Sequence, residues 1–156
     1  MNEILAQATQ AALKHYGDTA SREFLQRLRA GSFASTRCDA CALTAFPPRP
    51  FCPRCLAGEV RWVELPHRGT LYAFTQQDRA LRFSAPDVIG LVELEGVGHV
   101  LSRIDAPFAS LRIGVALELD FVDIGAGVTL HQFRPAAAPA AGEGGGAPAY
   151  PVTSAP

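Results

Sequence analysis

All four cysteines of the chain fall within eighteen residues, "CDACALTAFPPRPFCPRC", as two pairs of the same spacing, Cys38-x2-Cys41 and Cys52-x2-Cys55. Two residues between thiolates let a tight turn aim both sulfurs at one ion, with backbone amides of the turn donating to the sulfurs. Two such turns supply the four soft ligands of a tetrahedral zinc site. A unit of this size has too few apolar residues to fold by burial alone, and zinc contributes folding free energy directly. The intervening "ALTAFPPRPF" fits this reading: its prolines stiffen the loop, and Phe46 and Phe51 are placed to pack beside the metal. Disulfides suit an untargeted chain poorly. A thioredoxin-type redox centre needs one Cys-x-x-Cys opening a helix in a βαβ unit. An iron or iron–sulfur site uses the same ligand set, and spacing does not separate it from zinc. Four protein thiolates leave a metal no open position, so Cys38, Cys41, Cys52 and Cys55 read as structural ligands.

The periodicity changes around this segment. Residues 3–16 and "TASREFLQRLRAG" carry helical spacing; in the second, Phe24, Leu25 and Leu28 form one stripe and Gly31 marks the stop. From Val60 the period becomes 2. "VRWVEL", "GTLYAFTQQ", "VIGLVELE", "HVLSRI", "VALELDFVDI" and "TLHQF" read as strands, with a bulge or bend at Gly69 and a hairpin at "EGVGH". About five strands in this length, one of them bent, predict a small closed barrel. The expected order is N-terminal helices (1–35), a zinc ribbon (36–58), a five-stranded OB-fold barrel (59–134) and a disordered Ala/Pro/Gly tail (135–156), a mainly β architecture.

Charge and motifs narrow the function. Residues 1–82 hold eleven Lys or Arg against seven acids, and residues 83–156 hold three Arg against eight acids, for a net charge of −1. A strong nucleic-acid binder carries a clear basic excess. A single-stranded nucleic-acid module, with Tyr72, Phe74 and Phe83 as stacking residues, is therefore the second reading, disfavoured by the acidic strands. There is no Gly-x-Ser-x-Gly, Walker loop or complete dinucleotide-binding glycine motif, and none of His15, His67, His99 or His131 is followed by the Glu of a zinc deaminase. His99 and His131 read as structural histidines within strands. No apolar run spans a bilayer and the N-terminus does not read as a signal peptide, so a cytoplasmic protein is expected.

The segments "FLQRLRAGSFASTRCDAC", "FPPRPFCPRC", "HRGTLYAFT", "VIGLVELEGVGHVLSRI" and "LRIGVALELDF", in this order, resemble the DUF35 family of acyl-CoA-associated proteins, which pair a rubredoxin-like zinc ribbon with an OB-fold. The resemblance covers about residues 20–134. It implies a non-catalytic partner subunit of thiolase-like enzymes (thiolases or side-chain-cleaving aldolases), sharing CoA or acyl-CoA with that partner. The chain departs from the family at the first knuckle, where the usual Cys-Gly is Cys41-Ala42; the glycine serves a left-handed backbone. On this reading Arg79, Arg82 and Phe83, in a polar loop between strands, face the ligand or partner, the alternative being solvated arginines and a buried Phe, and Phe24 and Leu28 either anchor a helix on the partner or cover the barrel.

Overall fold

The structure, a computed structural model, describes residues 19–78, 87–125 and 127–137. The helix expected at 3–16, the loop residues Arg79, Arg82 and Phe83, and residues 138–156 lie outside the described residues.

Helix α1 spans Thr19–Arg29. It stops as its sequence requires: Gly31 adopts φ 79°, its N–H donates to Leu28 O at 3.0 Å, and the N–H of Ser32 donates to Arg27 O at 2.9 Å. Those two bonds close the last turn and satisfy its carbonyls. Glu23 and Arg27, one turn apart, pair at 2.7 Å on the outer side, and the Arg27 guanidinium lies 4.5 Å from the Trp62 ring centre.

Three strands follow as an antiparallel sheet in the order β2-β1-β3: β1 Ala34–Cys38, β2 Thr44–Ala45 and β3 Val60–Glu64. β3 pairs with β1 from Ala34↔Glu64 to Cys38↔Val60. "VRWVEL", expected in the barrel, is thus the third strand of the ribbon, and Trp62 sits under Arg27 on that sheet. β1 is buried along nearly its whole length although its sequence is polar. Its hydroxyls are satisfied: Ser35 donates to the Ala45 carbonyl, and Thr36 Oγ1 accepts the N–H of Arg49 at 2.9 Å.

The chain then closes a five-stranded barrel in the order β4-β5-β6-β8-β7, from β4 Arg68–Gln77, β5 Asp87–Leu94, β6 Gly98–Ile104, β7 Ala116–Asp123 and β8 Thr129–Pro135. A 3-10 turn at Phe108–Ser110 links β6 to β7. Among the described residues, only the β6–β8 contact is parallel, through Arg103↔Gln132 and Ile104↔Phe133. β4 makes closure possible by pairing with β7 over Arg68–Thr70 and with β5 over Thr70–Gln77. At Gly69 a Cβ would lie 2.6 Å from Glu93 O and 2.7 Å from both Leu94 Cδ2 and Val92 Cγ1, so only glycine fits the bend. The register shift itself falls between Leu71 and Ala73, not at Gly69. The last strand runs through Pro135, and Ala136 N–H still bonds Ala116 O at 2.9 Å, so order extends slightly past the expected start of the tail.

Leu71, Val92, Val100, Ile104, Leu117 and Phe133 fill the barrel, and Leu28, Phe33 and Leu65 continue the same core towards α1 and the ribbon. Each fully buried side chain of this kind contributes about 1.5–3 kcal/mol. One end of the barrel is held by a polar network: Arg103 pairs with the buried Asp87 at 2.8 Å and with Asp105 at 3.0 Å and donates to Gln132, which donates to Asp120 at 2.9 Å. This fixes Asp87, the residue at which the chain returns from the 79–86 segment.

Candidate metal centre

The two knuckles have the same backbone. In the first, Ala42 N–H donates to Cys38 O at 3.0 Å and Cys38 N–H to Leu43 O at 2.9 Å; in the second, Leu56 N–H donates to Cys52 O at 3.0 Å and Cys52 N–H to Ala57 O at 2.9 Å. The residue after each second cysteine is left-handed, Ala42 at φ 58° and Leu56 at φ 62°. The missing glycine thus leaves the turn unchanged in shape and places an alanine and a leucine where L side chains carry a steric cost.

The turns bring all four sulfurs within 4.8 Å of one another, with Cys38–Cys55 at 3.6 Å and Cys41–Cys52 at 3.5 Å. A tetrahedral ion with Zn–S of about 2.3 Å requires edges of about 3.8 Å, so the residues present fit the group. The thiols are mutually perturbed in a way that favours a cation. Cys52 is lowered to about 6, first by the backbone N–H of Cys55 and further by that of Arg54 and by the sulfurs of Cys41 and Cys55, against its burial. Cys55 has one lowering contribution, from the backbone N–H of Ala57; the sulfurs of Cys38 and Cys52, desolvation and Cys41 outweigh it and push the thiol up to about 12. A cluster that gives up one proton readily and holds another tightly is relieved when a dication replaces both. Cys38 and Cys52 are buried, Cys41 is half-buried and Cys55 is exposed.

The two phenylalanines between the knuckles part company. Phe46 meets Phe24 at 5.7 Å and Phe33 at 5.9 Å between ring centres, whereas Phe51 is 48% exposed. Phe24 and Leu28 are likewise used inside the chain: Leu28 is 1% exposed in the core, and Phe24 packs edge-on to Phe46 and His131. Both help close the helix onto the barrel and ribbon, the covering role that their stripe also allowed. His131 is structural, as its strand position suggests, but its ring is unsatisfied rather than satisfied. It stacks on Phe33 at 5.2 Å with Phe24 and Phe46 edge-on, and neither ring nitrogen has a hydrogen-bond partner. Desolvation lowers it to about 4; the Leu101 carbonyl acts weakly in the opposite sense, without reaching hydrogen-bond geometry. No helix among the described residues is long and apolar enough to cross a membrane. Of the aromatic residues considered for stacking on bases, Tyr72 is exposed and lies against His99 at 4.2 Å, while Phe74 packs on Phe108 at 5.1 Å.

A four-thiolate ribbon joined through β3 to a closed five-stranded barrel defines a zinc-ribbon/OB-fold protein. Residues 26–61 match the family described as "ChsH2, rubredoxin-like zinc ribbon domain", and residues 62–122 match "ChsH2, C-terminal OB-fold domain". The chain belongs to the DUF35 family, with the ribbon and barrel of the ChsH2 type. Among solved structures it is similar to the Ltp2–ChsH2(DUF35) aldolase, at 26% identity and TM-score 0.67, covering 76% of this chain and 94% of that one. It shares its fold with a DUF35 protein of unknown function from Sulfolobus solfataricus, at 14% identity and TM-score 0.56, covering 83% of this chain and 95% of that one. A curated protein of Thermomonospora curvata named "Probable enoyl-CoA hydratase alpha subunit" is 33% identical over 103 residues, which is 64% of this chain and 32% of that protein. The chain therefore spans about a third of that relative's length.

Proposed function

We propose that the chain is a non-catalytic accessory subunit that binds a thiolase-like enzyme, a thiolase or a side-chain-cleaving aldolase, and helps bind or position its acyl-CoA substrate. The observation that carries this reading is the match to the DUF35 chain of an aldolase, at 26% identity and over 94% of that chain's length. The relative named as an enoyl-CoA hydratase subunit supports a place in acyl-CoA chemistry. The metal centre supports the division of labour. Thiolase-type chemistry needs a nucleophilic or basic thiol with histidines beside it. A ribbon that commits Cys38, Cys41, Cys52 and Cys55 to one ion leaves this chain no thiol to offer. The reacting groups then come from the partner, and this chain shapes the approach to them.

Arg79, Arg82 and Phe83 are the residues assigned to the CoA or acyl chain: guanidinium forks match phosphate oxygens, and a phenylalanine between β4 and β5 can cover an acyl chain. The experiment is co-expression with thiolase-fold proteins from the same organism, followed by purification through a tag on either partner. A stable complex that turns over acyl-CoA, with the isolated chain inactive at full metal content, is the expected result. Turnover by the isolated chain with its thiols still metal-bound, or failure of any thiolase-fold protein to bind it, refutes the reading. Within the complex, Arg79→Ala with Arg82→Ala raises KM for acyl-CoA and leaves assembly intact.

A further inference from the structure

The two knuckles share one backbone and carry opposite side chains. At the first, the exposed tip is Asp39, Ala40 and Ala42, and Asp39 is paired with Arg61. At the second, Arg49, Pro50, Phe51, Pro53, Arg54, Cys55 and Leu56 are exposed almost without interruption. Leu56 is 75% exposed and holds φ 62°, a position where glycine costs nothing and a leucine adds strain and wetted apolar surface together. Three quarters of the residue lies in solvent. Among the described residues Arg49 and Arg54 form no ion pair, and neither pairs with Glu59, the acid nearest in sequence. Because the first knuckle meets the same geometric demand with small residues, the metal does not require this tip. Strained, exposed and unpaired residues of this kind collect at functional surfaces, and an apolar anchor flanked by arginines has the composition of a binding hot spot.

We propose that the second knuckle, with Leu56 and Phe51 as anchors and Arg49 and Arg54 beside them, is the tip by which this chain docks into an apolar socket rimmed by carboxylates on its thiolase-fold partner. This rests on the accessory-subunit reading and adds the surface that carries it. The zinc centre gives the tip its rigidity: the knuckle backbone is fixed before docking, so little conformational entropy is lost when it is seated. The arginines set register and accelerate encounter, and the apolar pair supplies the hold.

The test uses the full, zinc-loaded chain and the purified thiolase-fold protein with which it co-purifies, titrated by calorimetry. Leu56→Gly deletes the anchor and removes the backbone strain. The expected result is a thermal midpoint at or above that of the unsubstituted chain together with binding weakened by at least about thirtyfold, the scale of a hot spot. A purely structural role for Leu56 cannot produce that combination. Arg54→Glu weakens binding by about tenfold or more, with the loss growing as salt is lowered. Leu101→Asp, on an exposed site of β6, binds as the unsubstituted chain does. If the unsubstituted chain binds the partner and Leu56→Gly and Arg54→Glu bind equally well, the docking surface is wrong and the accessory-subunit reading stands. If no thiolase-fold protein binds, both fall. Self-association of the isolated chain that Leu56→Gly abolishes also overturns the proposal, in favour of a second copy as the occupant.

Discussion

Replacing His131 with phenylalanine should remove an acid sensitivity built into the junction of helix, ribbon and barrel. His131 is enclosed by Phe24 from α1, Phe46 from the ribbon loop and Phe33 from the segment between them, with both nitrogens unpartnered. Burial disfavours its charged form and lowers it from 6.5 to about 4. Above pH 6.5 the imidazole is neutral in folded and unfolded chain alike and contributes no pH dependence. Between the two values the unfolded chain takes up a proton that the folded chain refuses, so stability falls as the pH falls; below about 4 both states are charged and the loss levels off. Integrating between pH 7.5 and pH 4.5 gives a loss of roughly 2–3 kcal/mol from this one residue. In a domain of this size that lowers the thermal midpoint by about 10 °C or more. Zinc release by thiol protonation adds its own acid dependence, but it is common to both proteins and cancels in their difference. The assay is urea unfolding of the unsubstituted chain and His131→Phe at half-unit steps of pH, zinc-loaded and free of chelator. The stability difference between the two should shift in favour of the variant by roughly 2–3 kcal/mol between pH 7.5 and 4.5, whatever its value at neutral pH. Parallel curves across that range refute the dry, neutral His131, as does an NMR titration that places its midpoint near 6.5.

Other substitutions probe separate links. Ala42→Gly relieves the left-handed alanine and should stabilise the chain by about 1 kcal/mol, read as a raised urea midpoint at unchanged slope. Gly69→Ala forces a Cβ against the Glu93 carbonyl and two core side chains; a cost of about 3 kcal/mol is expected, while Gly58→Ala, with open space around it, serves as the neutral control. Arg103→Met strands Asp87, 4% exposed, without its cation and should cost about 3 kcal/mol or more by the same measurement. Metal analysis should find one zinc per chain, and chelation should raise amide exchange across 34–64 well before the barrel strands lose protection.

How much of this was legible in the sequence follows from which interactions are local. The knuckles were legible because Cys-x2-Cys encodes its own turn, and even the left-handed demand after Cys41 could be stated from the missing glycine. Strands β5 and β6 were legible because one face of each is dry: buried positions alternate with half-buried or exposed ones, as the period of 2 requires. β1 gave no such signal. "ASTRC" is polar and yet covered on both faces, and its hydroxyls are satisfied by Ala45 and Arg49, residues whose positions depend on the closed ribbon. The pairing partner of "VRWVEL" was illegible for the same reason, since a half-buried strand fits a barrel or a ribbon equally and only β1 decides between them. Phe24 and Leu28 made a narrow stripe that a partner or the chain's own core could cover; Phe46 and His131, distant in sequence, cover Phe24, and Leu28 enters the core. Leu56 is the reverse case. Its sequence context gives no hint of exposure; the positive φ and the exposure appear only in the structure. Phe24 and Leu28, which the family resemblance offered to a partner, are thus engaged within the fold, while Leu56, which periodicity could not address, is left exposed. That contrast follows from the zinc itself: an ion that holds the ribbon shut relieves the second knuckle of any packing duty, and its tip can carry side chains chosen for something outside the chain.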